Sequence, residues 1–236
     1  MRPAAPIRSL EELREWKPDP ETQSAVVPLQ TCCYLLSDDG RFCERSPHGS
    51  QVLYCHDMAG NYLESDRFHA HTSIFPAFRF TRWHLIDIFV YFSHHTITLP
   101  PISWINLAHR QAVRVYGTLI FESVEDEIYK SVFWKPDPNS FDHIEFANRL
   151  DLLRRTVCFE GWLLNFEVCF PEVSGFVANC FSILSITQLR PRVDFIVIFV
   201  VTKCTYCRGT SESLRQTCLI DAIPSGRTIV YRISYD

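Results

Sequence analysis

Apolar residues fall along this chain in two periods. Short, mostly apolar runs rich in aromatic and β-branched residues stand at 51–55, 84–92, 113–121 and 159–167, and such runs mark strands buried on both faces. Between the last two, Phe146, Leu150, Leu153 and Val157 recur at i, i+4, i+7 and i+11, one apolar stripe of a helix over about 141–156. A shorter helical run, 104–111, follows the Pro100-Pro101 stop, with Ser103 placed to cap it. Strand, helix, strand, helix, strand is the order of parallel strands joined by right-handed crossovers, so the pattern predicts an α/β fold.

The ends of the chain differ from this middle. Residues 1–50 carry Pro3, Pro6, Pro18, Pro20, Pro28 and Pro47 around one short helical candidate, 9–16, where Ser9 and Glu12 form a capping box. No chemistry is assigned there. Beyond residue 168 two apolar runs, 193–201 and 227–235, read as strands of a tail with no further motif. The expected organisation is a proline-rich segment at 1–50, an α/β unit at 51–168 and a divergent tail at 169–236.

Length and composition narrow this further. With 236 residues and 47% hydrophobic content the chain can bury a sizeable core. A complete eight-stranded barrel takes about 250 residues. About fifty residues precede the first strand, so a full barrel does not fit comfortably, and a shortened one would leave open parallel edges that predict self-association. The net charge of −4, without a basic run, argues against nucleic acid or an anionic membrane as partner. The run 195–201 is too short to span a bilayer. The opening Met-Arg-Pro-Ala-Ala-Pro-Ile lacks a secretory apolar core, which predicts a cytosolic chain whose ten Cys are thiols. Cys204-x-x-Cys207 has no second pair at zinc spacing, and no metal or cofactor is expected.

The candidate chemistry sits where the run 159–167 ends. Side chains alternate across a strand, so Asn165 and Glu167 project to one side, roughly 6.6 Å apart along the backbone. A strand running out into solvent is the commoner reason for such an ending, since many buried strands end in polar residues. Glycosidases ordinarily use two carboxylates about 5–9.5 Å apart. Glu160 cannot be the second, being roughly 23 Å back along the strand and on the other face. Glu122, closing the neighbouring strand, is the local rival.

Phe159-Glu160-Gly161-Trp162-Leu163-Leu164-Asn165-Phe166-Glu167 resembles the catalytic strand of glycoside hydrolase family 85, the endo-β-N-acetylglucosaminidases, where the pattern is Phe-Asp-Gly-Trp-Leu-Ile-Asn-x-Glu. Cys55-His56-Asp57-Met58 with Gly60 and Tyr62, and Ile86-Asp87 through Phe89-Val90-Tyr91-Phe92-Ser93-His94-His95-Thr96 to Pro100-Pro101, resemble that family's motifs in the same order. The resemblance runs from Ser9 to Glu167. It implies a partial (β/α)8 TIM-type barrel, with loops at the carboxyl ends of the strands forming the site. His56, Asp57, Tyr62, His94, His95 and Glu122 are then expected to bind substrate.

The same resemblance implies substrate-assisted hydrolysis of the GlcNAc-β1,4-GlcNAc core of N-glycans and free oligosaccharides, without cofactor. The 2-acetamido group would attack its own anomeric carbon, Asn165 would orient it, and Glu167 would act as acid and then base. An acid in that role needs apolar surroundings, expected from Trp162, Leu164 and Phe166. The chain departs from the pattern at Asn61, where the family has Gly, and at Val168, where it has Asn. No Trp follows Trp162, and the family's Trp-Tyr-Asp-Ser segment is missing. Two classes of function therefore stand: an endo-β-N-acetylglucosaminidase, or a truncated, inactive relic that binds sugar weakly.

Overall fold

A computed structural model of the chain describes residues 3–19, 24–30, 32–36, 42–44, 51–57, 62, 67, 79–123, 125–134, 143–168, 194–199 and 219–221. Strands β1 (Cys32–Leu36) and β2 (Phe42–Glu44) pair antiparallel on their own. The main sheet comprises β3 (Leu53–Asp57), β4 (Ile88–Phe92), β5 (Ile97–Thr98), β6 (Arg114–Phe121), β7 (Gly161–Phe166), β8 (Asp194–Phe199) and β9 (Leu219–Asp221). Its spatial order is β3-β4-β6-β7-β8-β9, with β5 set against β6. From β3 to β8 every neighbouring pair on that path is parallel. Helix α1 (Leu10–Glu15) precedes the sheet, α2 (Ile102–Arg110) links β4 and β5 to β6, and α3 (His143–Val157) links β6 to β7.

Both crossover helices lie on the same face of the sheet. The larger core joins Trp104, Ile105 and Ala108 of α2 and the Phe146, Leu150, Leu153, Val157 stripe of α3 to Phe89, Tyr91, Val115, Leu119, Phe121, Trp162, Leu164 and Phe166. These strand residues alternate with a second buried set, Ile88, Val90, Phe92, Tyr116, Ile120 and Leu163, which occupies the opposite face with Leu53 packed against it. Burial on both faces is what unbroken apolar runs imply, since a half-solvated strand would alternate with polar residues. Packing sets the close spacing of β6 and β7. Gly117 stands opposite Trp162, and a Cβ at Gly117 would lie 2.7 Å from the Thr98 carbonyl oxygen and 2.7 Å from the indole.

Several sequence expectations shift in the structure. Residues 84 and 85 belong to a 3-10 turn, Trp83–Leu85, and β4 starts only at Ile88. Asp87 explains the delay, because its carboxylate accepts from Val52 N at 2.8 Å and so ties the entry of β4 to β3. Helix α2 begins on Pro101 rather than Ser103, with the Pro101 carbonyl accepting from Trp104 and Ile105. In α1, Ser9 caps Glu12 N as expected, but the Glu12 carboxylate reaches one residue further back, to Arg8 N at 2.7 Å.

A six-residue π-helix, Tyr129–Trp134, was not foreseen. It buries Ile128, Tyr129, Val132 and Phe133, and Asp126 caps it through Tyr129 N at 2.8 Å. Within the tail, residues 194–199 do form a strand, and it covers the edge of β7 in full register. That edge is therefore not open, against expectation. The run 227–235 lies outside the described residues.

Candidate active site

Alternation on four parallel strands brings polar groups together at their carboxyl ends. Leu53 marks the second face on β3, so Asp57 shares it; Phe92 does the same for His94, Ile120 for Glu122, and Leu163 for Asn165 and Glu167. The register aligns Phe121 with Phe166, and Glu167 N donates to the Phe121 carbonyl at 2.8 Å. Glu122 and Glu167 are thus neighbours on adjacent strands, about 4.8 Å apart at the backbone. Beneath them, Phe121 stacks on Phe166 at 5.2 Å and Phe133 meets Phe166 edge-on at 5.4 Å, which fixes the ends of β6 and β7 from the helix side.

Asn165 and Glu167 form a hydrogen-bonded pair. The Asn165 amide nitrogen donates to Glu167 Oε1 at 2.8 Å. The NH2 is thus the end of the amide that faces the carboxylate. Asn165 Oδ1 is consequently turned away, and it is buried without a hydrogen-bond partner among the described residues. Leaving a buried acceptor unmade costs roughly 1–3 kcal/mol. The site holds an acceptor ready for an N–H donor.

Beside this pair His94 bridges two acids. Its Nδ1 lies 2.8 Å from Glu122 Oε1 and its Nε2 3.8 Å from Asp57 Oδ2. The Glu122 hydrogen bond, joined by the charges of Glu122, Asp57 and Glu167, holds the ring's pKa above the ordinary imidazole value, against the opposing pull of partial burial. His94 and Glu122 are each 42% exposed, so the rim is open to a polar ligand.

Three residues expected at the site are elsewhere. His56 and Asp57 belong to β3 itself, not to a loop, and adjacent strand residues face opposite ways. His56 is buried among Phe89, Tyr91 and Trp104 on the helix side, 5.3, 5.5 and 4.7 Å away between ring centroids. Tyr62 spends its hydroxyl on the Leu99 carbonyl at 2.7 Å and rests against Tyr91. His95 turns toward Arg8, 3.4 Å from the guanidinium, and burial followed by the Arg8 and His94 charges lowers its pKa. Trp162, Leu164 and Phe166 face the helices, so they cannot surround Glu167.

One polar cluster went unread in the sequence. Glu160, at the opposite end of β7, accepts from Val115 N at 2.8 Å and faces His109 Nε2 at 3.2 Å, while His109 Nδ1 meets the Val27 carbonyl at 2.6 Å. It is structural and lies at the far end of the strand from Glu167. A cavity of about 500 Å³ opens under the N-terminal arm between Pro3, Ile7, Trp16, Arg67, Leu99 and Ile102, and none of the rim residues lines it. Among the described residues no group of His, Cys, Asp and Glu side chains is arranged to hold a metal ion, and no helix is long and apolar enough to cross a membrane.

Comparison with known proteins places these residues in a family. The sequence model of glycosyl hydrolase family 85 matches residues 62–193, more than half of the chain. The chain is 40% identical over 166 residues to the human cytosolic endo-beta-N-acetylglucosaminidase, covering 68% of this chain and 20% of that protein. With the protein of the same name from Danio rerio it shares 34% identity over 194 residues, 81% of this chain and 25% of the relative. With the cytosolic endo-beta-N-acetylglucosaminidase 2 of Arabidopsis thaliana it shares 35% over 147 residues, 60% and 20% respectively. The chain spans about a fifth to a quarter of the length of these curated relatives. The match reaches past Glu167 and contains the whole rim except Asp57, and on this footing the chain belongs to glycosyl hydrolase family 85.

Proposed function

We propose that this chain carries endo-β-N-acetylglucosaminidase chemistry, cleaving the GlcNAc-β1,4-GlcNAc core of N-glycans and free oligosaccharides in the cytosol, where its relatives are named as acting. The parallel strands with both crossover helices on one face form the first part of a (β/α)8 barrel, whose active sites gather at the carboxyl ends of the strands. The observation that carries the reading is the Asn165–Glu167 pair with its unfilled Asn165 Oδ1. A 2-acetamido N–H is the donor that this oxygen suits.

In the first step the acetamide carbonyl oxygen forms a bond to the anomeric carbon as the bond to the departing GlcNAc O4 breaks. Glu167 gives its proton to that oxygen. Asn165 Oδ1 takes the acetamide N–H and stabilises the positive charge of the oxazolinium ring. In the second step the Glu167 carboxylate removes a proton from water, which attacks the anomeric carbon and reopens the acetamide, with net retention. Asp57 faces the same rim and meets glycan hydroxyls.

A second route has an observation of its own. Glu122 and Glu167 follow the paired ends of adjacent strands, and two neighbouring carboxylates are what an ordinary retaining mechanism uses, so Glu122 is the alternative nucleophile. A glycan in which the reacting GlcNAc is replaced by glucose separates the routes. The substrate-assisted reading expects turnover of the GlcNAc substrate with a β-configured first product, and none of the glucosyl analogue. Comparable turnover of both overturns the acetamide's role. Binding of the GlcNAc glycan without any turnover leaves only a sugar-binding relic.

A further inference from the structure

We propose that His94 is a positioning residue that holds Glu122 off the Asn165–Glu167 pair, so that the acetamide rather than Glu122 is the nucleophile. This rests on the hydrolase reading above. His94 Nδ1 hydrogen-bonds Glu122 Oε1 at 2.8 Å, and Nε2 lies 3.8 Å from Asp57 Oδ2, beyond hydrogen-bond reach but close enough for a charged ring to attract it. The protonated ring thereby ties together the ends of β3, β4 and β6.

Three carboxylates face this ring: Asp57 from β3, Glu122 from β6 and Glu167 from β7; on its own segment the nearest titratable neighbour is His95, with Arg8 behind it. The Phe92 ring closes one side, edge-on at 5.4 Å. Without the charged ring, Glu122 stands beside Glu167, just past the paired ends of β6 and β7, with no cation between them among the described residues, and two like charges on neighbouring strands repel. Glu122 would then compete for the Asn165 NH2 or for the anomeric carbon. The raised His94 pKa carries the charged form of the clamp above the ordinary imidazole range, and the clamp opens as pH rises through the folded midpoint.

The test uses the full chain with His94→Gln, Glu122→Gln and the double variant. Hydrolysis of a labelled chitobiose-core glycan is followed against pH, and His94 is titrated by nitrogen NMR. His94→Gln is expected to lose about fivefold in kcat with KM little changed, as for a half-exposed ion pair, and Glu122→Gln less than that, because it takes the competing carboxylate away. The double variant should lose no more than His94→Gln alone, not the product of the two losses, because the carboxylate that the ring restrains is gone. His94→Gln should also remove the fall in activity that accompanies His94 deprotonation. In Glu122→Gln the His94 midpoint should drop toward the ordinary imidazole range.

Multiplying losses in the double variant would assign both residues to separate sugar contacts and overturn the proposal. So would a His94 titration indifferent to Glu122→Gln, or an inactive Glu122→Gln, which would make Glu122 the reacting group. An inert wild-type chain removes the hydrolase reading itself, an outcome distinct from an active wild type whose losses multiply.

Discussion

Replacing Glu160 by Gln should destabilise the chain in a pH-dependent way, because Glu160 holds a buried imidazolium. His109 is 3% exposed and Glu160 21%. The Val27 carbonyl and the Glu160 carboxylate can only accept, so both ring nitrogens carry protons. Burial alone would lower the His109 pKa, but the Glu160 hydrogen bond and charge, with the Val27 carbonyl, outweigh it and raise the value.

A folded-state midpoint above the unfolded imidazole value of about 6.5 means the pair's contribution is complete below that pH and is lost as pH rises through the folded midpoint. Glutamine keeps one acceptor for Val115 N and loses the charge, so the expected cost is about 2 kcal/mol at pH 6. At pH 9, where less of His109 is charged in the wild type, it should be smaller, falling toward about 1 kcal/mol. Urea unfolding of wild type and Glu160→Gln at both values measures this. An equal loss at pH 6 and pH 9, or a larger one at pH 9, would refute a charged His109.

Gly117→Ala should cost about 1–3 kcal/mol in urea unfolding, since its Cβ would meet the fixed Thr98 carbonyl at 2.7 Å as well as the Trp162 ring; an unchanged midpoint would mean that β5 is not held there. Ala112 ends α2 at φ 57°, so Ala112→Gly should raise stability by about 0.5 kcal/mol or leave it level in the same assay, whereas a clear loss would contradict the left-handed turn. Asn165→Ala removes the acceptor for the acetamide. It should lower kcat on a GlcNAc-terminated core by roughly 10²-fold with thermal unfolding little altered, and a KM effect alone would reassign Asn165 to binding.

Much of this architecture was legible because it depends on alternation alone. The 3.6-residue stripe of α3, the buried runs at β4, β6 and β7, and the common face of Asn165 and Glu167 follow from residue spacing. The same alternation, applied two residues further along β3, would have split His56 from Asp57, but the strand's length depends on its pairing with β4, which spacing does not give. The π-helix carried a signal that was passed over, namely Asp126 ahead of Ile128, Tyr129, Val132 and Phe133. Helix ends at Ala112 and Cys158 were hidden because neither left-handed position holds glycine. The His109–Glu160–Val27 cluster joins residues 82 and 51 apart in sequence and has no local mark.

The most direct measurement is single-turnover hydrolysis of a fluorescent high-mannose N-glycan by the purified chain and by Glu167→Gln. Release of product retaining one GlcNAc, at a rate that Glu167→Gln reduces at least about 10³-fold, is the predicted result. Turnover that survives the substitution, or a wild type that binds the glycan and never cleaves it, would contradict a catalytic Asn165–Glu167 rim.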